Sequence, residues 1–246
     1  MKTLIKFVLQ KLLGLNNYLF VFSLFIIATL KRNRKEGDFL HFLSMLPDNS
    51  MVLDIGANIG VMTVLIARKL PGSTVFSFEP LPANLNNLNR LVKFFKLGNV
   101  KVFATALGNY DGQAQLVLPE QKRVKMQGLT HIEGVEGSEN SVGKKYAVPM
   151  RKLDNFDELK HIEKPLSGIK LDVENYEYNV LEGATGLITR HRPLVYVELW
   201  ENRNRTDCFS LFYKLGYQSF VLDRGKLVIF DSDKHHTQNF FFAPVA

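Results

Sequence analysis

From Met51 onward, short runs rich in β-branched and aromatic residues alternate with longer stretches whose apolar residues recur every three or four positions. The short runs suit strands covered on both faces, and the long ones suit helices with one buried stripe. Strand, helix, strand in that order is the βαβ unit, which closes as a parallel sheet with helices on its faces. The pattern places strands at Met51–Ile55, Thr74–Phe78, Val100–Thr105, Gly168–Asp172 and Leu194–Leu199, and helices at Gly60–Leu70, Pro82–Phe95 and Tyr176–Thr189. Past Trp200 the pattern changes. A helix around Thr206–Leu215 is followed by closely spaced runs at Tyr217–Leu222, Lys226–Phe230 and Asn239–Phe242, and Asp223-Arg224-Gly225 has the turn chemistry of a hairpin. The expected architecture is α/β, a mostly parallel sheet that ends in an antiparallel pair.

The 246 residues are 46% hydrophobic and 22% charged, ordinary values that argue against a disordered chain and against a polytopic membrane protein. One core with appendages is the simplest division, a helical segment over 1–45 and the main domain over 46–246. The stretch Asp111–Lys145 is polar and rich in glycine (Gly112, Gly128, Gly134, Gly137, Gly143) with little regular period, and is expected to be a long loop, either functional or disordered. Cys208 is the only cysteine, which excludes an internal disulfide or a thiolate metal cluster and suits a reducing, cytoplasmic setting. Its apolar surroundings suggest packing.

The most apolar stretch, Tyr18–Leu30, has thirteen residues, short of the ~20 a membrane-spanning helix requires. The basic run Lys31-Arg32-Asn33-Arg34-Lys35 that follows it, and the lack of a small-residue cleavage site, argue against a secretory signal. Two readings stay open: helices packed on the main domain or on a second subunit, or peripheral contact of residues 1–35 with a membrane, basic flanks on anionic head groups. The formal charge of +7 favours an anionic partner in general without choosing one.

In an open parallel sheet, ligands lie at the carboxyl ends of the strands beside the switch point, so the ends of the first two strands matter most. The first ends in Val52–Gly60, VLDIGANIG. Its spacing, D-x-G-x-x-x-G, differs from the dinucleotide G-x-G-x-x-G, and an acid two residues before the glycine would repel a pyrophosphate but suits a cationic ligand. Gly56 and Gly60 allow close approach of the backbone, Asp54 supplies negative charge, and Asn58 lies in the turn between them. Glu79, in Phe78-Glu79-Pro80 at the end of the second strand, stands where a carboxylate can accept ribose hydroxyls.

Five blocks in order, VLDIGANIG, FEPLPANLNNL, NVKVFATALGNYDG, IKLDVENYEYNVLEGA and VYVELW, resemble the FkbM family of methyltransferases over roughly residues 50 to 200. The resemblance implies a class I, Rossmann-like fold with a seven-stranded, mostly parallel sheet and an antiparallel C-terminal hairpin. It implies S-adenosylmethionine as cofactor and O-methylation of a hydroxyl on a sugar, glycan or related small molecule. It adds Asn84 to the cofactor pocket, with Ala106 and Leu107 bordering the adenine.

Methyl transfer needs an aligned acceptor and a group to take its proton. Asp172, at the end of the fourth strand, is expected to orient the acceptor or remove its proton, with Glu174 as partner. His131 is a second candidate base, since histidine exchanges protons most readily near neutral pH. Glu177 and Glu198 are further acidic candidates. The segment Trp200–Arg205, with Trp200, Asn202 and Arg203, mixes an aromatic face with planar polar groups, a combination suited to a polyol acceptor, and Glu198 adjoins it. Asp172, Glu174 and Glu198 could offer oxygen ligands to a divalent ion, but no metal is expected. Competing readings are a nicotinamide oxidoreductase, an inactive cofactor-binding module, and an enzyme acting on a nucleic acid or other macromolecule. An acidic Asp172-Val173-Glu174 at the acceptor position fits a phosphate backbone poorly, so no nucleic-acid partner is expected. A homo-oligomer is compatible with the sequence.

Overall fold

The computed structural model describes residues 9–30, 36–121, 124–125, 127–134, 143–160 and 164–245. Lys2, Lys6, the run Lys31–Lys35 and Gly137 lie outside them. The strands are β1 (Met51–Ile55), β2 (Thr74–Phe78), β3 (Val100–Phe103), β4 (Ala106–Leu107), β5 (Gly112–Gln121), β6 (Val124–Lys125), β7 (His131–Ile132), β8 (Gly143–Arg151), β9 (Leu166–Leu171), β10 (Leu194–Glu198), β11 (Tyr217–Asp223), β12 (Lys226–Ile229) and β13 (Asn239–Pro244). The helices of six residues or more that bear on the site are α1 (Leu15–Thr29), α2 (Gly37–Met45), α3 (Val61–Lys69), α4 (Pro82–Phe94), α5 (Glu177–Glu182), α6 (Thr185–His191) and α7 (Arg203–Lys214).

The main sheet has the order β3-β2-β1-β9-β10-β13-β11-β12. Its first five strands are parallel, and β13, β11 and β12 each pair antiparallel with their neighbours. This is the class I methyltransferase arrangement with eight strands rather than the expected seven. The extra one is β12, which the Asp223-Arg224-Gly225 turn folds back along the edge. Side chains alternate across the sheet. Leu53, Ile55, Ile169 and Val197 enter a core shared with α5, α6 and α7, whereas Val52 and Val75 enter one shared with α1 to α4. Phe39 and Phe42 of α2 are fully buried there, and Phe42 stacks on Tyr196 of β10. The N-terminal helices are therefore part of this core, not an appended body.

Two expectations are corrected. The stretch Asp111–Lys145 is largely a second sheet, order β4-β8-β5-β6 with β7 on β5. Ala114, Leu116 and Leu118 point from β5 into a separate core with Val148 and Met150 of β8. The single helix expected over Tyr176–Thr189 is two, because Gly183 packs so closely on the chain that a methyl there would lie 2.0 Å from the Gly108 carbonyl oxygen. Asp154 restarts the helix by accepting the Gly186 and Leu187 N–H groups at 2.9 and 2.8 Å, the task of a cap residue done from elsewhere in the chain.

Candidate functional site

The site lies at the carboxyl ends of β1 and β9, where the sheet order reverses. The turn after β1 uses three left-handed residues, Gly56 (φ 73°), Asn58 (φ 50°) and Gly60 (φ 88°). Glycine is required twice. A methyl at Gly56 would sit 1.8 Å from the Asp172 carbonyl oxygen, and one at Gly60 would sit 2.8 Å from Leu88.

Glu79 holds this turn in place. Its Oε2 accepts the Asn58 N–H at 2.8 Å and its Oε1 the Leu81 N–H at 2.8 Å, while Asn84 Nδ2 donates to Asn58 Oδ1 at 3.1 Å. Burial pushes the Glu79 carboxyl up to about 7. A cleft opens above. Gly56, Asn58, Glu79 and Asn84 line one part of it, Ala106 and Leu107 a second. The second sheet roofs it with Leu116, His131 and Ile132, and Asp172, Glu174 and Tyr176 close the end.

Asp54 and Gly60 do not reach the wall. Asp54 is fully buried beneath the turn, where its Oδ2 accepts the Thr63 hydroxyl at 2.5 Å. Gly60 caps the start of α3. Beside Asp54 lies Lys170, a residue that sequence reasoning passed over. It stands opposite Asp54 in the β1–β9 register and is 5% exposed. Its Nζ donates to the Gly56 carbonyl at 2.9 Å and lies 3.7 Å from Asp54 and 3.6 Å from Asp172. A buried ammonium flanked by two carboxylates keeps its charge, and the Asp172 and Asp54 charges outweigh burial in raising its pKa. The available signal was a lysine inside the otherwise apolar run Ile169-Lys170-Leu171, since lysine is almost never buried without partners.

His131 is nine-tenths buried, its Nδ1 lies 2.9 Å from the Leu129 carbonyl, and its Nε2 has no hydrogen-bond partner among the described residues. A carbonyl only accepts, so Nδ1 donates to it, and the ring lines the cleft. Asp172, Glu174 and Glu198 gather at adjacent strand ends. Glu174 and Asn175 both adopt left-handed backbone (φ 54° and 72°), strain of the kind found at functional sites. Burial, reinforced by the Asp172 and Glu198 charges, pushes Glu174 up to about 8, and Glu198 is pushed to about 7 by burial and then Asp172. Glu177 is a brace. Its Oε1 accepts the Val173 and Asn175 N–H groups at 3.0 and 3.2 Å, and Asn204 Nδ2 donates to its Oε2 at 2.6 Å.

These carboxyls hold protons more tightly in the folded chain than at their ordinary value of 4.5, so folding takes up protons. Stability is then greatest below about 4.5 as far as this group is concerned and is lost as pH rises through about 7 to 8. Thermal unfolding followed by circular dichroism is expected to show a midpoint falling by at least roughly 3 °C between about pH 5.5 and about pH 8.5, with a shallower fall in Glu174→Gln. A flat profile would contradict it.

Of the residues expected to meet the acceptor, Glu198 ends β10 and Trp200, two residues on, is 42% exposed, and neither lines the cleft. Asn202 is the cap of α7, accepting the Arg205 N–H at 3.2 Å and donating to Asn175 Oδ1 at 2.7 Å. Arg203 lines a second, shallower cleft with Tyr110, Tyr176, Tyr178, Asn175 and Asn179, and this cleft meets the first at Tyr176 and Ile132. Tyr110 and Tyr178 were not expected there, because the loop and helix that bring them together are far apart in the chain. Cys208 is buried in the core, where burial raises its thiol pKa, as befits packing. Among the described residues no group of three or more His, Cys, Asp or Glu side chains is arranged to hold a metal.

Compared with known protein families, residues 54–219 match the methyltransferase FkbM domain. The chain belongs to the FkbM methyltransferase family. It is 28% identical over 150 residues to Methyltransferase 1 of Beauveria bassiana, covering 56% of this chain and 59% of that one. It is 29% identical over 188 residues to Methyltransferase sdnD of Sordaria araneosa, covering 67% and 71%. The chain thus spans less than two thirds of the first relative's length. A solved FkbM methyltransferase from Methylobacillus flagellatus superposes with a TM-score of 0.51 at 18% identity, over 81% of this chain and 45% of that one, which supports the fold.

FkbM methyltransferases use S-adenosylmethionine, and the cleft fits it. The backbone at Gly56 leaves no room for a side chain, Asn84 Oδ1 is a buried polar atom without a hydrogen-bond partner among the described residues, and Ala106 with Leu107 gives an apolar wall. Asn58, Glu79 and Asn84 are the polar groups that would hold it.

Proposed function

We propose that this FkbM chain is an S-adenosylmethionine-dependent O-methyltransferase acting on a hydroxyl of a sugar, glycan or related polyol. The observation that carries this reading is the second cleft. Its tyrosines offer faces on which a sugar ring can stack, and Asn175, Asn179 and Arg203 offer planar polar groups that pair with hydroxyls. It shares Ile132 and Tyr176 with the cleft that holds His131, Asp172 and Glu174.

When bound, S-adenosylmethionine supplies a methyl group activated by its sulfonium. The chain's own residues do the rest. His131 Nε2 accepts the acceptor's hydroxyl proton, its ring held by the bond from Nδ1 to Leu129. Glu174 is protonated at neutral pH and can donate a hydrogen bond to the acceptor, while Asp172, held by Lys170, accepts one. Leu116 of β5 and Ile132 of β7 give the cleft an apolar side, and a bound donor and acceptor would displace water there, which strengthens these bonds.

The test offers a panel of sugars, glycans, amines and nucleic acids with methyl-labelled donor and locates the label in the product by NMR. A methyl ether on a polyol is expected. Transfer only to nitrogen or to nucleic acid would overturn the reading. Tyr110→Ala, at a half-exposed tyrosine of the second cleft, should raise KM for the acceptor by roughly three- to tenfold with kcat little changed, the loss of one stacking face.

A further inference from the structure

Helix α1 is apolar on every side except at its asparagines, Ser23 and Thr29, a pattern normally found where a helix is covered all round. Only part of it is covered. Leu19, Ser23, Ile27 and the following Leu30 face the core, and Asn87 Nδ2 ties the helix down by donating to Ser23 Oγ at 2.8 Å. Tyr18 is buried too, stacked on Phe22, but Val21, Phe22 and Phe25 on the side away from the core are 53%, 40% and 63% exposed. The strip continues sideways, since Phe94 of α4 is exposed and its ring meets Phe20 of α1. Isolated exposed apolar residues are ordinary, but a contiguous aromatic strip marks a contact surface.

Charge selects the partner. α1, α3 and α4 contain no aspartate or glutamate, yet carry Arg68, Lys69, Arg90 and Lys93. Lys69 and Lys93 are exposed, Lys93 next in the chain to Phe94 of the strip, and Arg68 lies over the ring of Phe95. Between α1, α2 and α3 runs an open groove with Ile27, Leu40, Leu43 and Leu65 at its base and Arg68 and Lys69 on its rim. In sequence, α1 is bracketed by Lys11 and by the run Lys31–Lys35. No helix among the described residues is long and apolar enough to cross a membrane, so this face can lie on a bilayer but not pass through it.

We propose that the α1–α3–α4 face docks on an anionic lipid surface, its phenylalanines in the interface and its lysines and arginines on the head groups. This is independent of the acceptor's identity. Flotation of the full chain with phosphatidylcholine vesicles, with and without phosphatidylglycerol, tests it. Binding is expected only with phosphatidylglycerol and should weaken as salt rises. Phe22→Ser/Phe25→Ser, at exposed positions, should lower the partition coefficient by at least roughly tenfold through lost apolar burial. Lys69→Glu/Lys93→Glu should lower it by at least roughly tenfold through lost head-group attraction. Both variants should keep the wild-type circular dichroism and affinity for S-adenosylmethionine. Equal binding to both vesicles, or none, overturns the proposal. So does a lipid-free dimer in sedimentation that Phe22→Ser/Phe25→Ser abolishes, for the face would then join two copies of the chain.

Discussion

His131→Ala is expected to lower kcat by roughly 10²–10⁴-fold, the usual contribution of a positioned base, while the affinity for S-adenosylmethionine changes by less than about threefold. The expectation rests on an imidazole with only one free role. Nδ1 is committed to the Leu129 carbonyl, Nε2 is buried without a hydrogen-bond partner among the described residues, and the ring lines the cleft with Asp172 and Glu174. Initial rates with labelled donor and calorimetry with the donor alone separate the two quantities. Wild-type turnover would remove His131 from the reaction. A parallel loss of donor affinity would make it a binding residue instead. The conservative His131→Gln keeps a hydrogen-bonding side chain but cannot take the proton, so it should stay near the alanine rate.

Gly56→Ala is expected to abolish measurable donor binding and to cost about 2–6 kcal/mol of stability, the sum of forcing a side chain into left-handed backbone and of overpacking. Its methyl would fall 1.8 Å from a backbone oxygen that cannot rotate away, because Asp172 N is bonded to the Ile55 carbonyl at 3.2 Å at the end of the β1–β9 ladder. The strand ends must part, and with them Lys170 and both carboxylates beside it. Thermal unfolding and donor calorimetry read the two effects. Gly37→Ala is the control, since nothing lies within 4 Å of its added methyl and no left-handed angle is involved. A Gly56→Ala chain as stable as the wild type would contradict the packing described here.

The sheet was legible because its strands are covered on both faces, so that β1, β2, β9 and β10 appear as nearly unbroken apolar runs. Asn58 and Glu79 stood out because turn chemistry is local, Asn84 only through the family resemblance, and the three form one hydrogen-bonded set. The second sheet was not. β5 pairs with β8 across some thirty intervening positions, and glycines at both ends of that pair resemble a loop in a single sequence. Lys170 was missed for a different reason. Its role depends on which strand lies beside it, and the register that sets it opposite Asp54 is a property of the assembled sheet. The roles of Asn202 and Glu177 as cap and brace arise in the same way, from partners in the β9–α5 turn and in α7.

The cleft is a seam between two hydrophobic cores. Leu81, Ala114, Leu116, Leu118, Val148 and Met150 stabilise the roof, and a different set stabilises the sheet that forms the floor. Leu81 is tied to Glu79 and Ala106 of the same core walls the cleft, but Ala114, Leu118 and Val148 touch neither the cleft nor the turn. Substitutions at those three positions would reshape the chamber from behind while leaving the Gly56–Lys170 junction in place, a route by which a lineage carrying this fold can vary its acceptor.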